Sequence, residues 1–420
     1  MFEEFLLIGL VLFAGFVAQI VFAKTKVSQV LILVALGFAL GPIFGVVDAS
    51  EGSLLAGLTP FVATLALIIL LFDGGISLNV FEVLRVLPRA TAFTVLVFCA
   101  SVACTAVLAI AFFGWGLLEG VLLGAVIGGT SSAIVLAFVE KSRASADSKS
   151  LLALESTLTD SLCIITAFVV LQLIQSNVPV EATAVLNLLA GSFSIALTGA
   201  ALAALAWLVA LRRMNSNGFP AYMLTLATVF LLYSLVEAAK GSGGVAVFTF
   251  GLILGNAKRV EEALKVPSDY ALAPQIASVQ GEVTFFTRTF FFVFLGAILD
   301  LSGITQNLAA FSLAIVVLFF ALRWLGCAVM LPGSKDCRFI ASMLPRGLAA
   351  AVLASIPATE GLSLPGFREI ALLVIILTNI IATAGVLLYK PSGEAETPPA
   401  QGAQAPPAGP DKRAAARTTV

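Results

Sequence analysis

The chain has no histidine in 420 residues. That absence removes imidazole metal ligands, Ser-His-Asp and Cys-His catalysis, and histidine pH sensing. Charge is scarce too. Only 11% of residues are Asp, Glu, Lys or Arg, against about 25% in a soluble domain. With 60% hydrophobic residues and a mean hydropathy of +1.08, polar groups are too few to coat a water-soluble enzyme. The 23 basic and 24 acidic residues nearly cancel, which argues against a nucleic-acid binder. There is no Walker motif, so no ATP site is expected. No CxxC spacing occurs among Cys99, Cys104, Cys163, Cys327 and Cys337. These cysteines are expected as small buried hydrophobes. The N-terminus lacks a basic segment and carries Glu3 and Glu4, so it reads as a first transmembrane helix rather than a cleaved signal.

What the chain does have is long apolar runs. A spanning helix needs about 20 apolar residues. Thirteen segments qualify: 5–23, 27–47, 55–72, 89–113, 117–139, 151–175, 185–211, 219–238, 243–257, 280–299, 308–331, 338–356 and 367–389. The predicted fold class is therefore an all-α polytopic membrane protein. Residues 391–420, rich in Pro, Ala, Gly and Thr, read as a disordered cytoplasmic tail too short to fold alone. Basic residues provide an independent check, because they concentrate in cytoplasmic loops. With the N-terminus outside, 18 of the 23 fall in cytoplasmic segments and only Lys240 and Arg368 fall outside. Arg288, Arg323 and Arg346 lie within or at the ends of spans. A multi-pass protein of the plasma membrane, with N-terminus out and C-terminus in, is expected.

Two spans end alike. Phe72-Asp73-Gly74-Gly75 resembles Phe294-Leu295-Gly296-Ala297, 222 residues later and in the opposite orientation. Inverted repeats of six helices are predicted, over about 5–175 and 219–389, with a linker helix at about 185–211. The same pairing matches span five to span twelve. Span five is interrupted at Gly128-Gly129-Thr130-Ser131-Ser132, and span twelve at Pro345-Arg346-Gly347. Such breaks free backbone groups that lipid cannot satisfy, so they are expected to be buried or to line a cavity. Paired breaks in two halves point to a transporter binding site.

An ionisable residue at mid-bilayer costs roughly 2.5–3.5 kcal/mol, so each is a functional candidate. Asp73, Glu155, Asp160, Arg288 and Arg346 are the candidates; Arg323 receives no role. Span six reads Glu155-Ser156-Thr157-Leu158-Thr159-Asp160-Ser161. Ser156 and Asp160 share one helix face, and Glu155 and Thr159 the adjacent one. Two carboxylates among hydroxyls are hard oxygen ligands that suit alkali cations rather than zinc or copper.

On these residues the chain resembles a monovalent cation:proton antiporter of the sodium/proton exchanger family, especially its prokaryotic NhaP-type branch, over about residues 5–390. The resemblance rests on Glu155-Ser156-Thr157-Leu158-Thr159-Asp160, Thr130-Ser131-Ser132, Phe72-Asp73-Gly74-Gly75, Pro345-Arg346-Gly347 and Arg288-Thr289-Phe290-Phe291-Phe292. It implies that Asp160 holds either cation or proton, with Glu155, Ser156 and Thr130 completing the shell for Na⁺ or K⁺. It further implies an Asp73–Arg346 pair near Thr159, with Arg288 directed at Glu155 and Ser131 in the supporting network. It implies a homodimer in the bilayer, with no cofactor and no soluble partner. Thr159 and Ser131 stand where the family carries an amide or acid. With Thr159 uncharged, one proton per cation is expected. A cation channel and an organic-anion symporter are the rival transport readings. The contexts of Asp73 and Asp160 do not match an intramembrane aspartyl protease.

Overall fold

A computed structural model describes residues 2–45, 54–77, 88–142, 144–176, 182–214, 221–256, 272–299, 303–331 and 336–389. Helix falls on every one of the thirteen predicted segments. The predicted tail, 391–420, lies outside the described residues. In chain order the helices are α1 (Phe2–Thr25), α2 (Gln29–Phe38), α3 (Leu54–Ser77), α4 (Pro88–Phe113), α5 (Leu117–Gly128), α6 (Ser132–Glu140), α7 (Ala146–Ser176) and α8 (Ala182–Met214). Then follow α9 (Ala221–Ala238), α10 (Gly243–Gly255), α11 (Leu272–Ala297), α12 (Gln306–Met330), α13 (Cys337–Ser342), α14 (Leu348–Leu353), α15 (Ile356–Thr359) and α16 (Phe367–Leu388). A π turn around Pro42 extends α2 to Ile43. Among the described residues, seven helices are long and apolar enough to cross a membrane, with Leu117–Glu140 taken as one. Shorter apolar helices account for five further segments.

Two helix pairs approach at backbone distance. On α2, a Cβ at Gly37 or Gly41 would run into the backbone of Val293 or Ala297, and a Cβ at Gly296 of α11 would strike Val34 and Phe38. The same arrangement joins α3 to α10. There Gly75 meets Phe248 and Leu252, while Gly251 and Gly255 meet Phe72 and Ile76. Small residues allow this closeness, which replaces the hydrophobic driving force that lipid does not supply. Both pairs set a Gly-x₃-Gly helix against a close-contact glycine near the end of the partner helix, Gly296 on α11 and Gly75 on α3.

The breaks fall where the sequence placed them. Span five is α5 and α6 separated by Gly129-Thr130-Ser131, and span twelve is α13 to α15 with residues 343–347 unwound. The interior of the molecule surrounds this crossing. Phe72, Phe138, Phe291, Phe292, Phe319 and Phe339 are all buried. By contrast, α1 and α8 carry exposed apolar faces that include Phe13 and Phe16 on α1, and Leu202 and Leu205 on α8.

The expectation of five small buried cysteines holds only in part. Cys327 and Cys337 form a disulfide, with Cα atoms 5.6 Å apart, between the last turn of α12 and the start of α13. The fold sets these two cysteines, ten positions apart, side by side. Of the free cysteines only Cys163 is buried; Cys99 is exposed and Cys104 half-buried, because their side chains on α4 do not all face the interior.

Candidate functional site

A broken helix leaves carbonyls without partners at one new end and amides at the other. At the crossing, charged side chains take both sets. Arg346 is 1% exposed. Its Nε donates to the carbonyl of Ile127 at 2.7 Å, and its Nη atoms donate to Gly128 at 3.2 Å and Leu344 at 2.5 Å. The cation therefore sits at the C-terminal end of α5, where the helix dipole is negative. Asp160 performs the converse task at the start of α6. One carboxylate oxygen accepts from the Ser132 amide at 2.9 Å and from the Ser132 hydroxyl at 2.6 Å. The anion faces the positive end of that half-helix.

Neutral groups complete the crossing. The Ser131 amide donates to the carbonyl of Pro345 at 2.9 Å, so the two unwound segments are bonded directly to each other. Gly347 is required there, since a Cβ would collide with the Ser131 side chain. The Thr130 amide donates to the Thr159 hydroxyl at 3.0 Å. From α16, the Thr378 hydroxyl accepts from the Arg346 amide at 3.2 Å, and Asn379 Nδ2 donates to the Arg346 carbonyl at 2.8 Å. Ser28, just before α2, donates to Asn379 Oδ1 at 2.6 Å. The Arg346 guanidinium also lies 4.6 Å from the centre of the Phe319 ring, a favourable cation–π distance.

A cavity opens beside this crossing, and Asp73, Ser131, Ser132, Asp160, Thr284 and Arg288 are among the groups that line it. Arg288 on α11 is the cation that faces both Asp73 and Asp160. Two carboxylates, one guanidinium and several hydroxyls thus converge on one space. Oxygen donors of this kind can replace part of the hydration shell of an alkali cation.

Several implied pairings are corrected. Glu155 does not meet Arg288; it is paired with Arg323 of α12. Arg323 Nη1 bonds Glu155 Oε1, and Nη2 reaches Oε2 at 3.0 Å. Arg323 also donates to the Ile340 carbonyl at 2.8 and 3.2 Å, fastening span six and span eleven to span twelve. Glu155 is 1% exposed and does not line the cavity. Arg346 bonds backbone carbonyls rather than Asp73, whose facing cation is Arg288. Ser156 turns back to the Ala153 carbonyl at 3.1 Å, and Thr130 is engaged with Thr159; neither lines the cavity. The geometry keeps Asp160, Asp73, Ser131 and Arg288 together and adds Ser132. The sequence reading passed over Arg323, Thr378, Asn379 and Ser28. The cost of an intramembrane arginine was a signal for the first; nothing distinguished the other three from ordinary polar residues in helices.

A family model described as the transmembrane sodium/hydrogen exchanger matches residues 8–388. The chain belongs to the sodium/hydrogen exchanger family. Within this family it is 26% identical over 350 residues to the K(+)/H(+) antiporter NhaP2 of Shewanella oneidensis, across 80% of this chain and 58% of that relative. It is 25% identical over 412 residues to NhaP2 of Shewanella sp. strain MR-4, across 94% of this chain and 68% of that relative. The chain thus spans between about half and two thirds of the length of these relatives. In structure it is similar to the sodium proton antiporter MjNhaP1 of Methanocaldococcus jannaschii. The TM-score is 0.69 at 21% identity, over 90% of this chain and 98% of the other. The exchanger fold, with its two broken helices at the centre of a multi-pass membrane protein, is the architecture described above.

Proposed function

We propose that this chain exchanges a monovalent cation for a proton across the plasma membrane by alternating access. Cation and proton compete for Asp160. The observation that carries this reading is the position of Asp160, a carboxylate at the positive end of a half-helix and on the wall of a cavity. Desolvation disfavours the charged form of a buried carboxylate, and a bound cation restores it. Binding of one species therefore expels the other, and the gradient of either drives the exchange without a cofactor. Ser132 and Ser131 supply oxygen atoms beside Asp160, and Asp73 adds a second carboxylate. Arg288 balances charge when both carboxylates are ionised. Thr159 is neutral, so one proton is exchanged per cation and the cycle carries no net current.

The cation is Na⁺ or K⁺. Oxygen chemistry suits both, and the names of the Shewanella relatives favour weighing K⁺ equally. Thirteen crossings in two inverted repeats are part of the proposal. They are supported by the two breaks that meet at Ser131 and Pro345, and by the matching glycine contacts of α2 with α11 and of α10 with α3. The bias of basic residues supports an outside N-terminus. The exposed apolar faces of α1 and α8 are compatible with a homodimer in the bilayer.

The test is exchange in proteoliposomes holding a preset proton gradient, with Na⁺, Li⁺, K⁺ or Rb⁺ added and internal pH followed by a dye. The expected result is saturable, cation-driven proton movement without current. A steady current would reject one-for-one exchange, and conduction that does not saturate would favour a channel.

A further inference from the structure

A second cavity lies end to end with the first along α3, α7 and span twelve. On α3 the first is lined by Leu70 and Asp73, the second by Ala63 and Leu67. On α7 the first is lined by Asp160 and Ile164, the second by Phe168 and Gln172. Span twelve contributes Leu348 and Ala349 to the first and Ile356 to the second, with Glu360 following just after α15. All three segments read in the same sense, with the second cavity displaced toward the side expected to be external. The facing boundary residues are three apart on α3, four apart on α7 and seven apart in span twelve, so the barrier is roughly 5–10 Å thick.

Phe168 stands at that barrier. Its ring tip rests against Gly244 at the start of α10, where an added Cβ would lie 2.5 Å from Cζ. Beyond it the second cavity is acidic. Glu237 of α9 accepts from the Gly243 amide at 2.7 Å, and Glu360 accepts from Gln175 at 2.9 Å. No basic residue is among those lining it. A cleft lined by one sign of charge between low-dielectric walls concentrates counter-ions.

We propose that the second cavity is the external mouth of the cation path to Asp160, with Phe168 as the gate between them and Glu237 and Glu360 drawing hydrated monovalent cations into it. This rests on the exchanger reading above. The first test is sided exchange by the full chain in oriented proteoliposomes. In Glu237→Gln with Glu360→Gln, the apparent KM for the cation supplied at this face is expected to rise about fivefold. The maximal rate and the KM at the opposite face should stay unchanged. An unchanged KM at this face, or an equal rise at both faces, overturns the role of the two carboxylates. The second test needs no transport. Gln172→Cys should react from this face with a charged, membrane-impermeant thiosulfonate, above the background of the unsubstituted chain. Ile164→Cys should react slowly, and several-fold faster once Phe168→Ala is added. An unreactive Gln172→Cys overturns the mouth, and no acceleration at Ile164→Cys overturns the gate. Absence of exchange by the unsubstituted chain would reject the exchanger reading itself, and the labelling would still decide the mouth and the gate.

Discussion

Glu155 and Asp160 are five residues apart on α7 and equally expensive to place in a membrane, yet the protein puts them to opposite uses. Glu155 is enclosed and bound by both arms of Arg323, with no access to the cavity. Its charge is compensated by a guanidinium bonded to both of its oxygens. Asp160 has no guanidinium bonded to it; Arg288 faces it across the cavity and is shared with Asp73. Asp160 is held by a serine and the end of a half-helix, and a cavity lies beside it. A carboxylate bonded by its own buried cation is braced, and one held by dipoles and a shared, more distant guanidinium keeps room for an exchangeable cation. The difference teaches that compensation, rather than depth in the membrane, separates the carboxylate proposed for transport from the brace.

Substitutions can break that contrast. The largest effect on transport is expected from Asp160→Asn. It should abolish cation-driven proton movement in proteoliposomes and leave thermal stability close to that of the parent, because the amide oxygen can still accept from Ser132. Exchange retained in Asp160→Asn would remove the central assignment. Glu155→Ala should act on stability instead. Removing one member of a buried ion pair costs about 3–5 kcal/mol. The protein should unfold at markedly lower temperature, and Glu155→Met with Arg323→Met should recover much of the loss. If the paired substitution restores folding yet abolishes exchange, Glu155 belongs to the transport site after all.

A carboxylate outside the membrane sharpens the comparison. Asp336, ahead of α13, accepts hydrogen bonds from Ser145 and Ser148 at the start of α7 and from Tyr389 at the end of α16. Burial disfavours its charge, but these donors outweigh that and hold its carboxyl below the usual carboxylate range. A lowered folded-state pKa contributes stability above the unfolded value, about 3.9, and loses it as pH falls through the folded value. Asp336→Asn should therefore cost roughly 2 kcal/mol at neutral pH. The difference from the parent should shrink on acidification below about pH 4, as followed by thermal unfolding across pH. A gap constant with pH would contradict the charge-based account. The smallest effect is expected at Ser132→Ala, which removes one hydroxyl from Asp160 and keeps the backbone amide. A shift of about 1 kcal/mol corresponds to roughly a fivefold change in apparent cation affinity, read from the concentration dependence of exchange.

The helical segments, both breaks and Asp160 were legible because their signals run along the chain. Apolar length marks a span, Gly and Pro mark a break, and a lone acid in an apolar run stands out by its cost. The pairings were not legible. Three intramembrane arginines and three acids allow several combinations, and Glu155 lies 168 positions from Arg323. Ser28 and Asn379, bonded across 351 positions, look like ordinary polar residues until the fold sets one beside the other. The Cys327–Cys337 bond was hidden for the same reason, since each cysteine alone is a plausible small hydrophobe.

By itself, then, the amino-acid order determined that this chain lives in a bilayer, where it is helical, where two helices are interrupted and which residues carry a costly charge. These follow from the free energy of moving each segment from water to lipid, a sum taken along the chain. Only the tertiary structure decided which charge compensates which. Coulombic and hydrogen-bond energies depend on distances of a few ångströms between residues far apart in sequence. Packing assigned Arg346 to the carbonyls of one half-helix, Arg323 to Glu155, and left Asp160 beside the cavity.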